Sequence, residues 1–473
     1  MRSQRKLKPG DHLVFLVGSA STIPAVFFTV TELAFIREQQ KKKLEMIPFS
    51  RLDHWLIVQF IPKEKEAGQR LELCRKAGDK IQGFLNEQKL SRVTLVDAEG
   101  KSAEIKALAE GIALGTYQFR KYKSDREGLN SLKEILLFSS KVKKEERDRL
   151  NATLMGVCFT RDLVNEPNSF LTAPVFAKAI DSMARERGIA VEVLTKKRLE
   201  ALKMGGLLGV NKGSDEPPAF IILEYKPAKA RNKKPLVLIG KGIVYDSGGM
   251  NLKTDNHMEH MKNDMAGGAA VAGTMLAVAV AQLPVHVIGL IPATDNRPGP
   301  KAMVSGDVLK MHNGMTVEVI STDAEGRLIL ADALSYAKRY NPGLVIDLAT
   351  LTGSAIRAIG KQAIAGMESR AKEELSLLKE CGFTVYERIV EFPLWDDYGE
   401  SLKSEVADIK NLGGAEAGAI TAGKFLQKFT DYPYIHLDIA GPAFAEKRDS
   451  YRGQGGTGVG VRLLVEYIRR FFC

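Results

Sequence analysis

From about residue 190 onward, short apolar runs alternate with helical stretches. The runs are VEVLT, FIILEY, PLVLIG, VHVIGLI, LVIDLAT and YIHLDIA. Most are nearly continuous in hydrophobicity rather than alternating with polar residues, so both faces of each strand need cover. Repeated strand–helix alternation supplies that cover, because each crossover helix packs back on the sheet. This one pattern sets the class: an α/β chain with a mixed, mostly parallel sheet flanked by helices.

Residues 1–135 repeat the theme on a smaller scale. LVFLV, WLIVQF and RVTLV alternate with helical stretches at 65–89 and 103–117, which predicts a small N-terminal α/β domain. The segment from 131 to 165 has helical spacing and no Pro or Gly until Gly156, so a linking helix is expected over 136–165. NEPNSFLTAP then breaks the pattern with two prolines. A larger second domain over 166–473 follows, and a 473-residue chain is long enough for two cores.

Bulk properties exclude several classes. Hydrophobic residues at 45% and charged residues at 26% are the balance of a water-soluble globular protein. Cys74, Cys158, Cys381 and Cys473 contain no CxxC pair, which argues for a reducing, cytoplasmic setting and against a thiolate zinc site. MRSQRKLK before LVFLVGSAS resembles a secretion signal, but Asp11 and His12 interrupt it, so a first strand is expected. The charge-free stretch 265–294 is long enough to span a bilayer. It is rich in Ala and Gly and broken by Gln282, Pro284 and His286, so it predicts a buried helix over 265–281 and then a buried strand, not a membrane span. Residues 1–150 hold 29 Lys/Arg against 20 Asp/Glu, and the remainder 39 against 37. A basic first domain offers an alternative function in nucleic-acid binding. A solvated face with subunit contacts is the plainer expectation.

The chemistry gathers where apolar runs end. TVEVI leads into STDAEGRL, in which Asp323, Glu325 and Arg327 are spaced by two. Carboxylates at i and i+2 share a face in extended chain, and two like charges aimed at one point need a cation. Ligands in open α/β sheets bind beyond the carboxyl ends of strands. There the strand LVLIG is followed by Lys241, Asp246, Gly248, Gly249 and Lys253, with Asp264 eleven residues later. Four carboxylates match two divalent cations in charge, and oxygen-rich sets suit Mg, Mn or Zn. Singly, each residue has a plain explanation, such as a helix N-cap for Asp264 or a surface position for Lys253. The joint pattern carries the inference.

KGIVYDSGGMNLK, MKNDMAGGAA and STDAEGRLILADAL closely resemble the leucyl aminopeptidase (cytosol aminopeptidase) family, as do RDLVNEPN, DLATLTGS and YIHLDIAGPAF. The resemblance runs from about residue 150 to the end and makes 166–473 the catalytic domain. It implies a metallo-exopeptidase that takes leucine-like N-terminal residues from short peptides, using two metal ions and a bridging hydroxide. Asp246 and Glu325 would bridge the ions, with Lys241 and Asp264 completing the tighter site and Asp323 the exchangeable one. Lys253 would stabilise the oxyanion, and Arg327 would anchor a bicarbonate as general base. Met261, Thr350, Leu351 and Gly353 would hold the substrate. The ions would be Zn or Mn, with Mg or Co as alternatives, and the assembly a cytoplasmic homohexamer. Ser321 departs from the family's usual Asn, which puts substrate hydrogen bonding there in question. His257 and His260 do not form HExxH and read as rim residues; His312 and His436 read as structural. GAITAGKF lacks the hydroxyl of a phosphate loop, and GQGGTGVG reads as an ordinary loop.

Overall fold

A computed structural model of the chain describes every residue except 5, 126, 255–257 and 473. Two compact units emerge. The first contains residues 1–154, 383–386 and 447–453, and the second contains the rest.

The first unit has a six-stranded sheet made of β1 (Arg2–Ser3), β2 (Leu13–Val17), β3 (Met46–Ser50), β4 (Trp55–Phe60), β5 (Arg92–Asp97) and β6 (Glu134–Phe138). Its order is β1-β6-β5-β2-β4-β3, parallel throughout except for β3 against β4. Helices α1 (Val30–Lys41), α2 (Ala67–Glu87) and α3 (Ser102–Gly115) connect the strands, and α4 (Lys144–Asn165) follows β6. All five residues of β2 are buried, as its central place and continuous apolar run require. The stretch 134–138 corrects the expected linking helix. EILLF alternates in burial along its length and pairs with β5, so a period of two wins there and the helix starts only at Lys144.

Part of this unit's core is closed by residues far away in sequence. Glu72 on α2 is buried, accepts from Tyr451 Oη at 2.7 Å and pairs with Arg452 at 2.8 Å. Arg75, one turn on, donates to the carbonyl of Thr384 at 2.9 Å.

The second unit takes in α4 from Met155 onward, then α5 (Ala173–Glu186) and strand β7 (Ala190–Thr195), then α6 (Lys196–Ala201) and α7 (Gly205–Asn211). Strands β8 (Ala219–Tyr225), β9 (Leu236–Gly240) and β10 (Gly242–Asp246) come next, then helix α8 (Ala266–Val280) and strand β11 (Val287–Asn296). A short pair, β12 (Val308–Lys310) and β13 (Thr316–Glu318), leads into α9 (Glu325–Ala337). The chain continues through β14 (Leu344–Ala349), α10 (Gly353–Ile359), β15 (Ile364–Ser369), α11 (Lys372–Val385) and β16 (Ile389–Glu391). It closes with β17 (Ile409–Lys410), α12 (Gly418–Gln427), β18 (Tyr434–Asp438) and α13 (Val461–Phe472).

Its main sheet has the order β16-β15-β18-β14-β9-β11-β8-β7, with β10 added in parallel to the end of β11. Strands β18, β14, β9 and β11 run parallel, while β15, β8 and β7 supply antiparallel joins. The sheet is therefore mixed and its centre parallel. The charge-free stretch becomes α8 and β11, both buried almost throughout, and no helix among the described residues is long and apolar enough to cross a membrane. Because β9, β14 and β18 are parallel, Lys241, Thr350 and Asp438 emerge at one end of the sheet.

Candidate metal centre

Two segments leave the sheet on the same side. After β9, Lys241 is buried; its ammonium lies 2.7 Å from Asp264 and 2.9 Å from Glu325 and donates to the Thr350 carbonyl at 3.1 Å. β10 ends on Asp246, beside Asn296 at the end of β11. The chain then turns through Gly248 and Gly249, both with positive φ (88° and 64°). A Cβ on Gly248 would lie 2.4 Å from the Asn251 carbonyl, and one on Gly249 2.7 Å from Asn296 Oδ1, so only glycine fits this turn. The turn returns Lys253 toward the sheet, where its ammonium pairs with Asp246 at 2.7 Å and with Asp323.

Asp264 precedes α8 and is buried; Thr350 Oγ1 donates to it at 2.8 Å. Asp323 and Glu325 reach the same place by a route the sequence reading did not foresee. Residues 322 and 323 form a turn, and Glu325 is the first residue of α9. A chain that turns between the two carboxylates brings them together as well as an extended one. Ser321 Oγ accepts the Asp323 N–H at 3.2 Å and holds that turn. An Asn side chain makes the same local contact, so the departure at 321 is structurally conservative.

The result is four carboxylates and two lysines at one end of the sheet. Asp246, Asp323 and Glu325 can each offer an oxygen within 4.8 Å of the others, a spacing that fits a metal ion. Glu325 Oε2 is buried and receives no hydrogen bond, so it has capacity for a cation. Burial pushes the Asp264 carboxyl well above its usual range, and burial together with the Asp246 charge raises Glu325. Such crowding favours either shared protons or a bound cation. Burial alone would lower the pKa of both lysines; the surrounding carboxylates outweigh it and raise them, so both are cations in this arrangement. The donor set, all carboxylate oxygen and amine nitrogen, fits hard and borderline divalent ions.

Arg327 lies two residues into α9 and is buried; burial pulls its guanidinium down to about 10. Its NH1 donates to the Asn411 carbonyl at 2.7 Å, and its Nε is buried without an acceptor. Thr350, Leu351 and Gly353 form the passage from β14 into α10, and half-buried Met261 opens a short turn just before Asp264. His260 stacks near Phe444 with ring centroids 5.1 Å apart, and His257 lies outside the described residues. Half-buried His312 bonds Ser335 at 2.7 Å, and His436 bonds Asp347 at 2.8 Å within the packed interior. Lys424 of GAITAGKF is buried on α12 against Asp396, inside a helix rather than a phosphate loop.

Several residues that sequence reading passed over hold these groups in place. Asn296 Nδ2 donates to Asp246 at 2.8 Å and to the Thr322 carbonyl at 3.0 Å. Asn251 Oδ1 accepts the Thr322 N–H at 2.7 Å, while Thr322 Oγ1 donates to the Gly248 carbonyl at 2.6 Å. These contacts tie the Asp246 turn to the Asp323 turn. Asp438 accepts from Leu351 N–H at 3.2 Å and Thr352 Oγ1 at 2.7 Å, which fixes the start of α10. Only the position of Asn296 and Asp438 at strand ends could have flagged any of them.

Residues 158–465 match the model of the cytosol aminopeptidase family, catalytic domain. The chain belongs to the cytosol aminopeptidase family. The probable cytosol aminopeptidase of Geobacter sulfurreducens is 48% identical over 370 residues, covering 76% of this chain and 74% of that one. The corresponding protein of Chlorobaculum tepidum is 43% identical over 427 residues, covering 85% and 84%. Among solved structures, the bottromycin maturation enzyme BotP in complex with Mn superposes with a TM-score of 0.85 at 30% identity, covering 97% of this chain and 99% of that one. A tomato leucine aminopeptidase mutant gives 0.85 at 26% identity, covering 99% and 96%.

As a member of this family the chain is a metal-dependent aminopeptidase, a hydrolase of the leucyl aminopeptidase type. One glycine of its acidic helix start has a packing reason. A Cβ on Gly326 would sit 2.4 Å from Lys241 Cε and 2.7 Å from its Nζ. Gly326→Ala favours the helix but forces Lys241 aside. It is expected to lower kcat by about a hundredfold, the order that a 1 Å misplacement produces, while melting temperature stays near wild type. Steady-state kinetics with a leucine amide, beside a thermal melt, checks this; an unchanged kcat would show that Lys241 has room to give way.

Proposed function

We propose that this aminopeptidase removes N-terminal residues, leucine-like ones preferentially, from short peptides, at two divalent ions held by Lys241, Asp246, Asp264, Asp323 and Glu325. The observation that carries the reading is the convergence of Asp246, Asp323 and Glu325 within reach of one ion, with Asp264 joined to them through Lys241 and Glu325 Oε2 buried without a donor. Asp246 and Glu325, central among the four, would be shared between the ions. Lys241, buried between Asp264 and Glu325, would serve the inner ion as a neutral amine once the ion's charge replaces its proton. Asp323, the most exposed of the set, would serve the outer, more exchangeable ion.

Bound divalent ions supply Lewis-acid charge for the scissile carbonyl and lower the pKa of a water shared between them. Lys253, held as a cation between Asp246 and Asp323, would donate to the oxygen that gains charge as the carbonyl is attacked. Arg327 would hold a bicarbonate ion, which supplies a general base; the guanidinium Nε that lacks an acceptor supports an anion there. Thr350 and Leu351, fixed from behind by Asp264 and Asp438, would orient the peptide backbone, with Met261 and Gly353 bounding its first side chain. Zn and Mn are the ions that fit this donor set first, and one structural relative holds Mn. The homohexamer with sites facing an inner cavity rests on family resemblance, and a cytoplasmic location on the relatives' designation as cytosol aminopeptidases.

The test is hydrolysis of a panel of aminoacyl amides by metal-stripped protein, with Zn, Mn, Co or Mg added back. No turnover is expected from the stripped protein, with restoration by Mn or Zn and the leucine amide fastest. Full activity in protein shown to contain no metal would sink the reading.

A further inference from the structure

Asn411 follows β17 and is completely buried, so no substrate reaches it. It nevertheless spends every polar atom on the acidic segment. Its backbone N–H donates to the Glu318 carbonyl at 2.9 Å, at the end of β13. Its side-chain Oδ1 accepts from Ile320 N–H at 2.8 Å and from Ser321 N–H at 3.3 Å, and its Nδ2 donates to the Ser321 carbonyl at 2.7 Å. Its own carbonyl accepts from Arg327 NH1 at 2.7 Å. Ser321 lies two residues before Asp323, and Arg327 two residues after Glu325. One asparagine thus grips the acidic segment on both sides of its carboxylates.

We infer that Asn411 is a positioning residue: it sets the Arg327 guanidinium against the turn that carries Asp323 and Glu325, and so governs the rate of the chemical step without touching substrate. Arg327 has several rotatable bonds and, among the described residues, one hydrogen-bond acceptor. That acceptor is the backbone of Asn411, and the Asn411 side chain is what locks this backbone to residues 320 and 321. Any looseness there moves Arg327 relative to the carboxylates, and a shift of this kind costs rate rather than binding. The inference rests on the reading of Arg327 as a catalytic group.

The experiment measures kcat, KM, metal content and melting temperature for Asn411→Ala, Arg327→Ala and the double variant. Asn211→Ala is the control, since Asn211 is a buried amide with bonds to the Glu216 carbonyl and Thr294 and, among the described residues, no hydrogen bond to the acidic segment. Asn411→Ala is expected to lower kcat about ten- to a hundredfold with KM within about threefold and metal content unchanged. The double variant should be no slower than the slower single, because both act through one group. The control should melt lower and keep its kcat. A slow Arg327→Ala beside an Asn411→Ala at full rate overturns the inference alone, as does a double variant whose losses multiply or an activity loss that tracks loss of metal. An Arg327→Ala at full rate removes the reading beneath it and the inference with it. Should Asn411→Ala not fold, Asn411→Asp is the second variant: as a carboxylate it keeps both accepting contacts and turns an anion on the Ser321 carbonyl where a donor stood, and it carries the same expectations.

Discussion

Glu325→Gln is expected to abolish hydrolysis, by about a thousandfold or more, while the protein stays folded but no longer gains thermal stability from added Mn or Zn. The substitution changes one oxygen for nitrogen at the first residue of α9, so helix and packing have no reason to fail. What it removes is a buried anion whose second oxygen has no hydrogen-bond donor of its own. If that oxygen exists to meet a cation, its loss takes a central ligand out of the set formed with Asp246 and Asp323. An ion that binds only the folded state stabilises it by about 2.7 kcal/mol at a hundredfold excess over Kd, and the variant should forfeit most of that. The measurement is a melt with and without metal, alongside the rate. A variant that keeps the metal-induced rise, or a tenth of the rate, would show that Glu325 is not a ligand.

Lys253→Met should cost about a hundred- to a thousandfold in kcat, the range for losing one oxyanion donor, with little change in KM and with bound metal retained. The ammonium is fixed by Asp246 at 2.7 Å and by Asp323, so it waits in place and needs no reorganisation during reaction. Lys253→Arg should not rescue the rate, since a planar fork cannot occupy the space of a point donor between two carboxylates. Rate loss accompanied by equal loss of metal would turn Lys253 into a structural counter-ion instead.

The sheet strands were legible because burial on both faces writes itself into a run such as LVLIG or LVIDLA. EILLF at 134–138 was misread for the opposite reason: it is short, and the charged segment after it carries a helical spacing that reads backward across the join. Among the site residues, Asp246, Asp264, Asp323 and Glu325 could be suspected from strand ends and charge alone, whereas the roles of the lysines and Arg327 came from family resemblance. Asn296 and Asp438 left only their place at strand ends as a signal, and Asn251 and Asn411 left none, because what defines all four is closure across 26 to 91 residues of chain. Periodicity reports on neighbours within a few residues; it cannot report which distant backbone amide an asparagine will meet. Extended chain was one geometry that would aim Asp323 and Glu325 at a single point; a turn pinned by Ser321 brings them together as effectively, and spacing alone does not separate the two.

The buried Glu72 sets a schedule for synthesis. Its partners, Tyr451 and Arg452, leave the ribosome 379 and 380 residues after it. Until then Glu72 lacks two of the groups that satisfy it, and burying an anion short of donors is costly. The N-terminal sheet, whose six strands all lie before residue 139, can gather early, but the unit around it is not complete before residue 453 is made. A fragment cut at Leu154 inherits that defect permanently, so the chain's first unit is, in the order of its making, among the last to be finished.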